Sequence, residues 1–112
     1  MSHIKDQVDG WIECDKQSIV DLFSALVRCK TPSPPGDTRD AMTLVEMFMS
    51  SQKLPFKKAT AVATMPNLVS TVKMPAEGRH LMFSGHLDVL PAGDESGCVD
   101  DPWSGNVSDG RV

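Results

Sequence analysis

A proline-rich hexapeptide at residues 31–36, Thr-Pro-Ser-Pro-Pro-Gly, constrains the fold of this 112-residue chain more than any other feature. Proline lacks the amide hydrogen that a helix needs and disfavours a helical conformation in the residue before it, so no helix continues through this segment. Helical patterns lie on both sides of it. Because six residues are short for an interdomain linker, we predict a rigid loop between two helices.

The two helices are predicted from apolar residues spaced three and four apart, which form a stripe on one helical face. We expect the first helix to begin after Asp15, as its N-cap, and to end near Lys30. The second follows Asp37 or Thr38, either of which is a suitable cap, and ends before Pro55. The first stripe comprises Ile19, Leu22, Phe23, Leu26 and Val27, and the second comprises Ala41, Leu44, Val45 and Phe48.

After Pro55 the pattern changes to one typical of strands. Residues 56–63 and 68–74 are predicted strands, and the short turn at residues 65–67 indicates that they pair antiparallel. The apolar middle of residues 80–84 predicts a third, buried strand. A long loop rich in Gly, Asp and Pro follows. The predicted fold class is therefore α/β, with two N-terminal helices followed by strands of a mixed sheet.

Composition excludes several classes of protein. The chain is 40% hydrophobic and 23% charged, as in soluble globular proteins, and no apolar run is long enough to span a membrane. Its net charge of −4, without a block of like charges, argues against nucleic-acid and membrane partners. The N-terminus lacks the pattern of a secretion signal, so we expect a cytoplasmic protein. Cys14, Cys29 and Cys98 lie far apart, and we expect reduced thiols rather than a disulfide framework or a cysteine zinc site.

The residues most suited to chemistry are His86 and Asp88, in the sequence Ser-Gly-His-Leu-Asp-Val at residues 84–89. In an extended chain, residues two apart point to the same side, so these side chains share one face at the end of an apolar strand. A neutral imidazole is a good zinc ligand, and a neighbouring carboxylate can orient it. Gly85 leaves room for a close approach. Taken alone, a histidine at the end of a strand is more often a hydrogen-bonded structural residue than a metal ligand.

A wider resemblance adds to this interpretation. Three blocks match in order: SGHLDVLPAGD at 84–94, DPWSG at 101–105 and DGRV at 109–112. Together they resemble the metal-binding signature of the aminoacylase/acetylornithine deacetylase/succinyl-diaminopimelate desuccinylase family of zinc metallopeptidases. Residues 65–69 resemble an early strand of that family, and residues 31–36 resemble the loop after its first helix. The resemblance extends over nearly the whole chain from about Asp15.

The resemblance implies that residues 1–112 are the N-terminal part of a single zinc-hydrolase catalytic domain. In that family His86 would be a ligand of one zinc in a two-zinc site, with cobalt as an alternative metal, and Asp88 would be the catalytic acid that holds this histidine. Pro102 and Trp103 would form a structural wall. The implied activity is metal-dependent hydrolysis of the amide bond in N-acyl amino acids or small peptides, by a deacetylase-like amidohydrolase that forms a homodimer at full length.

The same resemblance places the other metal ligands, the general base and the inserted dimerisation domain after Val112. Neither His3, near the terminus, nor His80, at the far end of the predicted strand, is a good substitute for a missing ligand. We therefore expect the 112-residue fragment alone to be inactive. The alternative is a catalytically inactive, truncated product that acts only as a folded remnant or as a self-associating module. An exposed sheet edge would favour self-association.

Overall fold

The computed structural model describes residues 2–112, which contain two helices, α1 (Ser2–Arg28) and α2 (Arg39–Ser51), and two strands, β1 (Lys57–Val62) and β2 (Met65–Val69). A short 3₁₀ turn follows at Glu95–Gly97. The chain divides into two units. Unit 1 comprises the residues up to Lys30 together with Glu95–Val112, and unit 2 comprises Thr31–Asp94. Neither helix has the length and apolar character needed to cross a lipid bilayer.

Helix α1 begins much earlier than predicted. It starts at Ser2, so the prediction of Asp15 as its N-cap is wrong, and Asp15 lies inside the helix. The apolar spacing of Ile4, Val8 and Trp11 extends the helical stripe towards the N-terminus, and no proline interrupts it. The predicted end is nearly correct, because α1 stops at Arg28.

In unit 1 the last turns of α1 bind a loop from the C-terminal region. The Ser24 hydroxyl, which is buried, donates a hydrogen bond to the carbonyl oxygen of Gly105. The Arg28 guanidinium donates to the carbonyl of Ser104 at 3.0 Å. These side chains fix the position of residues 104 and 105 on the helix.

In unit 2, helix α2 lies where the sequence predicts it. Thr38 precedes the helix without a side-chain cap, and its amide instead donates to the carbonyl of Thr64 at 2.9 Å. The small apolar core lies in the first turn of this helix, where Ala41 and Met42 are buried. Farther along α2, the Glu46 carboxylate pairs with the Lys58 ammonium of β1 at 2.7 Å and joins the helix to the sheet.

The predicted antiparallel pair is confirmed, although its turn is displaced. β1 and β2 pair antiparallel with Lys57 opposite Val69, and the turn lies at residues 63–64 rather than 65–67. The strand predicted at 68–74 instead spans Met65–Val69. Pro66 suggested a turn, but proline also fits an edge strand because its missing amide hydrogen leaves no unpaired donor there. The position of this proline explains the wrong boundary.

The third strand, predicted at residues 80–84, is wrong. These residues have no regular secondary structure, and Leu81, Met82 and Phe83 are 80%, 85% and 89% exposed rather than buried. A strand needs a neighbour to accept and donate its main-chain hydrogen bonds. Within residues 2–112 the sheet is therefore antiparallel rather than mixed, and the parallel pairing of Pro32 with Val89 is an isolated bridge.

Candidate functional site

The segment that carries His86 and Asp88 is bound to the proline-rich loop inside unit 2. The Thr31 hydroxyl donates to the Leu87 carbonyl at 2.6 Å, and the Val89 amide donates to the Thr31 carbonyl at 3.0 Å. The Ser33 amide in turn donates to the Val89 carbonyl at 2.8 Å. These two main-chain bonds form a parallel bridge between Pro32 and Val89, in which the residue opposite Val89 donates nothing, so the missing amide hydrogen of proline is tolerated there. Residues 87–89 are thereby held against the proline-rich loop.

The structure brings His86 and Asp88 together, as the sequence predicts. The imidazole Nδ1 lies 2.7 Å from the main-chain carbonyl oxygen of Asp88 and 3.4 Å from its carboxylate Oδ1. A carbonyl oxygen only accepts hydrogen bonds, so the bond requires a hydrogen on Nδ1. In the neutral ring this leaves Nε2 with a lone pair. A histidine that ligates a metal commonly donates its other ring nitrogen in this way.

Both side chains remain accessible. The His86 side chain is 82% exposed and that of Asp88 is 50% exposed, so neither is enclosed by apolar packing. They border a cleft of about 670 Å³ within unit 2, between α2, β2 and residues 85–88. Its polar wall includes Ser33, Asn67, His86 and Asp88, and its apolar wall includes Met42, Val45, Val62 and Leu68. A small ligand with both polar and apolar parts would fit such a lining.

The described residues do not complete a zinc site. A catalytic zinc takes three protein ligands and keeps one position open. Across residues 2–112 no three His, Cys, Asp or Glu side chains are grouped so that they could hold a metal ion. His86 and Asp88 match one ligand and its orienting neighbour. The metal role of His86 and the catalytic role of Asp88 stay predictions, and no catalytic step is assigned to this chain through a metal.

The structure also describes the other residues that the sequence singles out. His80 is exposed and lies six residues before His86 in the irregular segment. Trp103 belongs to unit 1, where its amide donates to the Asp101 carboxylate at 2.7 Å. None of the three cysteines is disulfide-bonded, and Cys14 and Cys98 are exposed.

Sequence reasoning missed Thr31. Its exposed fraction is only 4%, and its hydroxyl and carbonyl bind the residues on both sides of Asp88. One signal in the sequence was available, since a β-branched residue before proline favours an extended backbone. Its pairing partner lies more than fifty residues away and could not be read from local spacing.

Comparison with known proteins finds relatives of this chain among hydrolases. The chain is 31% identical over 94 residues to a succinyl-diaminopimelate desuccinylase of Rhodospirillum centenum. The aligned region covers 81% of this chain and 24% of the relative, so the chain spans about a quarter of that protein's length. No family model matches the chain. No solved structure matches it either. The similarity suggests the desuccinylase family for this chain.

Proposed function

We propose that this chain is part of a metal-dependent hydrolase that cleaves the amide bond of N-acyl amino acids or small peptides. His86 supplies one ligand to zinc, or to cobalt, and Asp88 orients that ligand. The observation that carries the proposal is the hydrogen bond from Nδ1 of His86 to the Asp88 carbonyl, because it leaves Nε2 available on an exposed side chain. The cleft beside this pair is where the substrate binds. The protein acts in the cytoplasm.

The similarity to a desuccinylase supports the choice of reaction. The relative's name describes removal of a succinyl group, and removal of an acyl group from an amine is the hydrolysis of an amide. The resemblance of residues 84–94 to a metal-binding signature agrees with that reaction. We propose the class of substrate, N-acyl amino acids or small peptides, and not a particular acyl group or amino acid.

The first experiment measures zinc binding by the 112-residue chain and two variants, His86→Ala and His80→Ala. His80 is a matched control, because it is an exposed histidine in the same irregular segment. We expect zinc to shift the NMR signals of the His86 ring in the wild-type chain and in His80→Ala. We expect the response of residues 85–88 to be lost in His86→Ala. Equal zinc responses in all three proteins would contradict the assignment of His86.

The second experiment measures activity. Since the described residues bring together one imidazole and one carboxylate rather than three ligands, the 112-residue chain should not hydrolyse N-succinyl or N-acetyl amino acids. A chain extended to the length of the relative should do so, and a chelator should abolish its activity. If the 112-residue chain hydrolyses these substrates and a chelator abolishes that activity, the chain by itself holds a complete site.

A second candidate function, self-association of an inactive chain, is favoured by one observation. Leu81, Met82 and Phe83 form a consecutive apolar run that is at least 80% exposed, and such runs promote pairing between chains. The proposed occupant is the same run of a second copy. Light scattering over a range of concentrations tests it, with Phe83→Ser expected to shift the chain towards monomer. A wild-type chain that stays monomeric at every concentration would exclude this function.

A further inference from the structure

Three consecutive peptide units around Asp88 are fixed by residues 31–33. The carbonyl of Leu87 accepts from the Thr31 hydroxyl, the amide of Val89 donates to the Thr31 carbonyl, and the carbonyl of Val89 accepts from the Ser33 amide. Thr31 makes two of these three bonds, one with its side chain and one with its main chain. It is also one of the most buried polar residues of the described chain, with an exposed fraction of 4%.

The middle peptide unit connects Thr31 to the imidazole of His86. The carbonyl of Asp88 and the amide of Val89 belong to the same planar peptide unit, and in a trans peptide these two groups point in opposite directions. The Val89 amide points to Thr31, where it donates at 3.0 Å. The Asp88 carbonyl therefore points to the other side, where it accepts from Nδ1 of His86 at 2.7 Å. Because this peptide unit is rigid, its hydrogen bond to Thr31 fixes the direction in which the Asp88 carbonyl meets the histidine ring.

We propose that Thr31 is a positioning residue for His86: by fixing the peptide units on both sides of Asp88, it directs the Asp88 carbonyl at Nδ1 and holds the imidazole as the tautomer whose Nε2 is unprotonated. The inference rests on the proposed function in one respect only: an unprotonated Nε2 is useful to this protein if His86 binds a metal. Thr31 is not among the residues that line the cleft, and it acts on the ring through the main chain of residues 87–89.

The Thr31 hydroxyl is the part of this arrangement that a substitution can remove. Valine has nearly the shape of threonine but no hydroxyl, so Thr31→Val leaves the Leu87 carbonyl without its donor while the packing stays similar. The peptide unit between residues 87 and 88 then loses its hydrogen bond to Thr31. The neighbouring unit that carries the Asp88 carbonyl keeps the bond from the Val89 amide to the Thr31 carbonyl, but it is no longer restrained on its N-terminal side, so its orientation becomes less defined. Serine retains the hydroxyl, so Thr31→Ser should keep the arrangement.

If Thr31 had only a structural role, its substitution would leave the tautomer of the His86 ring unchanged. The tautomer is therefore the property to measure. Long-range proton–nitrogen NMR spectra of the 112-residue chain at about pH 8, where an ordinary imidazole is neutral, show which ring nitrogen carries the hydrogen. We expect His86 in the wild-type chain and in Thr31→Ser to have the hydrogen on Nδ1. We expect Thr31→Val to give a mixture of the two tautomers, with faster hydrogen exchange at the Val89 amide.

Thr38→Val is the matched control. Thr38 lies in the same loop, has an exposed fraction of 6%, and bonds through its amide to Thr64 rather than to residues 86–89. This variant should keep the wild-type tautomer. A wild-type ring protonated on Nε2, or a folded Thr31→Val chain with the wild-type tautomer, would overturn the inference. The wild-type result keeps the inference testable even if Thr31→Val does not fold.

Zinc binding separates this inference from the proposed function. If His86 is a ligand, Thr31→Val should weaken zinc binding by about tenfold, as is usual when an outer partner of a metal ligand is removed. If zinc does not bind at His86 in any variant but the tautomer still depends on Thr31, the proposed function fails and the positioning role stands. If zinc binds at His86 and the tautomer is the same in all variants, the positioning role fails alone.

Discussion

Each of the two units binds an irregular segment of its own, but the two units do so with different groups. In unit 1, the side chains of Ser24 and Arg28 donate to the carbonyls of residues 104 and 105. In unit 2, residues 31–33 bind residues 87–89 with two main-chain bonds and one hydroxyl. The first attachment depends on which side chains are present, whereas the second depends mostly on an extended backbone.

The difference predicts where substitutions will have an effect. Main-chain hydrogen bonds survive most changes of side chain, so the attachment in unit 2 should tolerate substitution except at Thr31. The attachment in unit 1 should be sensitive at each position. Gly105 is the extreme case, because its φ of +60° is left-handed and a Cβ there would meet the carbonyl oxygen of Ser24. A loop that is held by side chains is therefore more sensitive to substitution than one that is held by main-chain hydrogen bonds.

The largest effect is expected for Gly105→Ala, which tests whether the close approach in unit 1 is essential. Backbone strain and the clash with Ser24 together should destabilise unit 1 by about 2–4 kcal/mol. Both tryptophans, Trp11 and Trp103, belong to unit 1, so tryptophan fluorescence during urea unfolding reports on this unit.

Gly110→Ala is the control for this prediction. Gly110 also has a left-handed backbone, with φ of +73°, but a Cβ there would meet nothing within 4 Å. It should therefore show the backbone strain alone, about 1 kcal/mol. Equal losses of unfolding free energy in Gly105→Ala and Gly110→Ala would mean that the contact with Ser24 contributes nothing. The attachment in unit 1 would then not be more sensitive to substitution than the attachment in unit 2.

A smaller effect is expected for Ser24→Ala, which removes the buried hydroxyl and leaves the Gly105 carbonyl without this donor. The loss should be about 1–2 kcal/mol by the same fluorescence measurement. Ser18→Ala is the matched control, since Ser18 is an exposed serine on the same helix and should change stability little. A Ser24→Ala chain as stable as Ser18→Ala would indicate that Arg28 alone holds the loop.

Local patterns predicted much of this fold, and distant pairing accounts for the failures. The apolar spacing placed α2, and the change of period placed the β1–β2 pair, because neighbours in sequence decide both. Residues 80–84 have an apolar composition suited to a strand, but no other segment within residues 2–112 pairs with them. Whether an apolar run becomes a strand depends on a partner that its own sequence does not contain.

For the candidate site too, local pattern predicted one part and a contact distant in sequence decided the other. Alternation along the chain predicted that His86 and Asp88 lie together, since both belong to one extended segment. It did not predict that the main-chain carbonyl of Asp88 lies closer to the imidazole than the carboxylate does, at 2.7 Å against 3.4 Å. The direction of that carbonyl is set by Thr31, which is distant in sequence.

The smallest effect concerns the exposed end of the loop that carries the unit 2 attachment. There the Arg39 guanidinium donates to both oxygens of the Asp37 carboxylate, with Nε 2.9 Å from Oδ1. These hydrogen bonds, more than charge alone, hold the pKa of Asp37 below its ordinary value of 3.8. The pair therefore stabilises the folded chain fully above that value, and this contribution is lost as the pH falls through the lower pKa of the folded state.

An NMR titration of the Asp37 carboxyl carbon tests the cause of this shift. Arg39→Gln should raise the pKa of Asp37 towards 3.8, with part of the lowering kept by the main-chain amide of residue 39, which still donates to the carboxylate. Arg39→Lys should raise it less, because lysine keeps the charge but lacks the planar fork. Full lowering in Arg39→Lys would assign the shift to charge instead. In that case added salt should remove it, since screening weakens an exposed ion pair. An exposed pair of this kind adjusts the loop's response to acid, while the main-chain bonds of residues 31–33 hold its position.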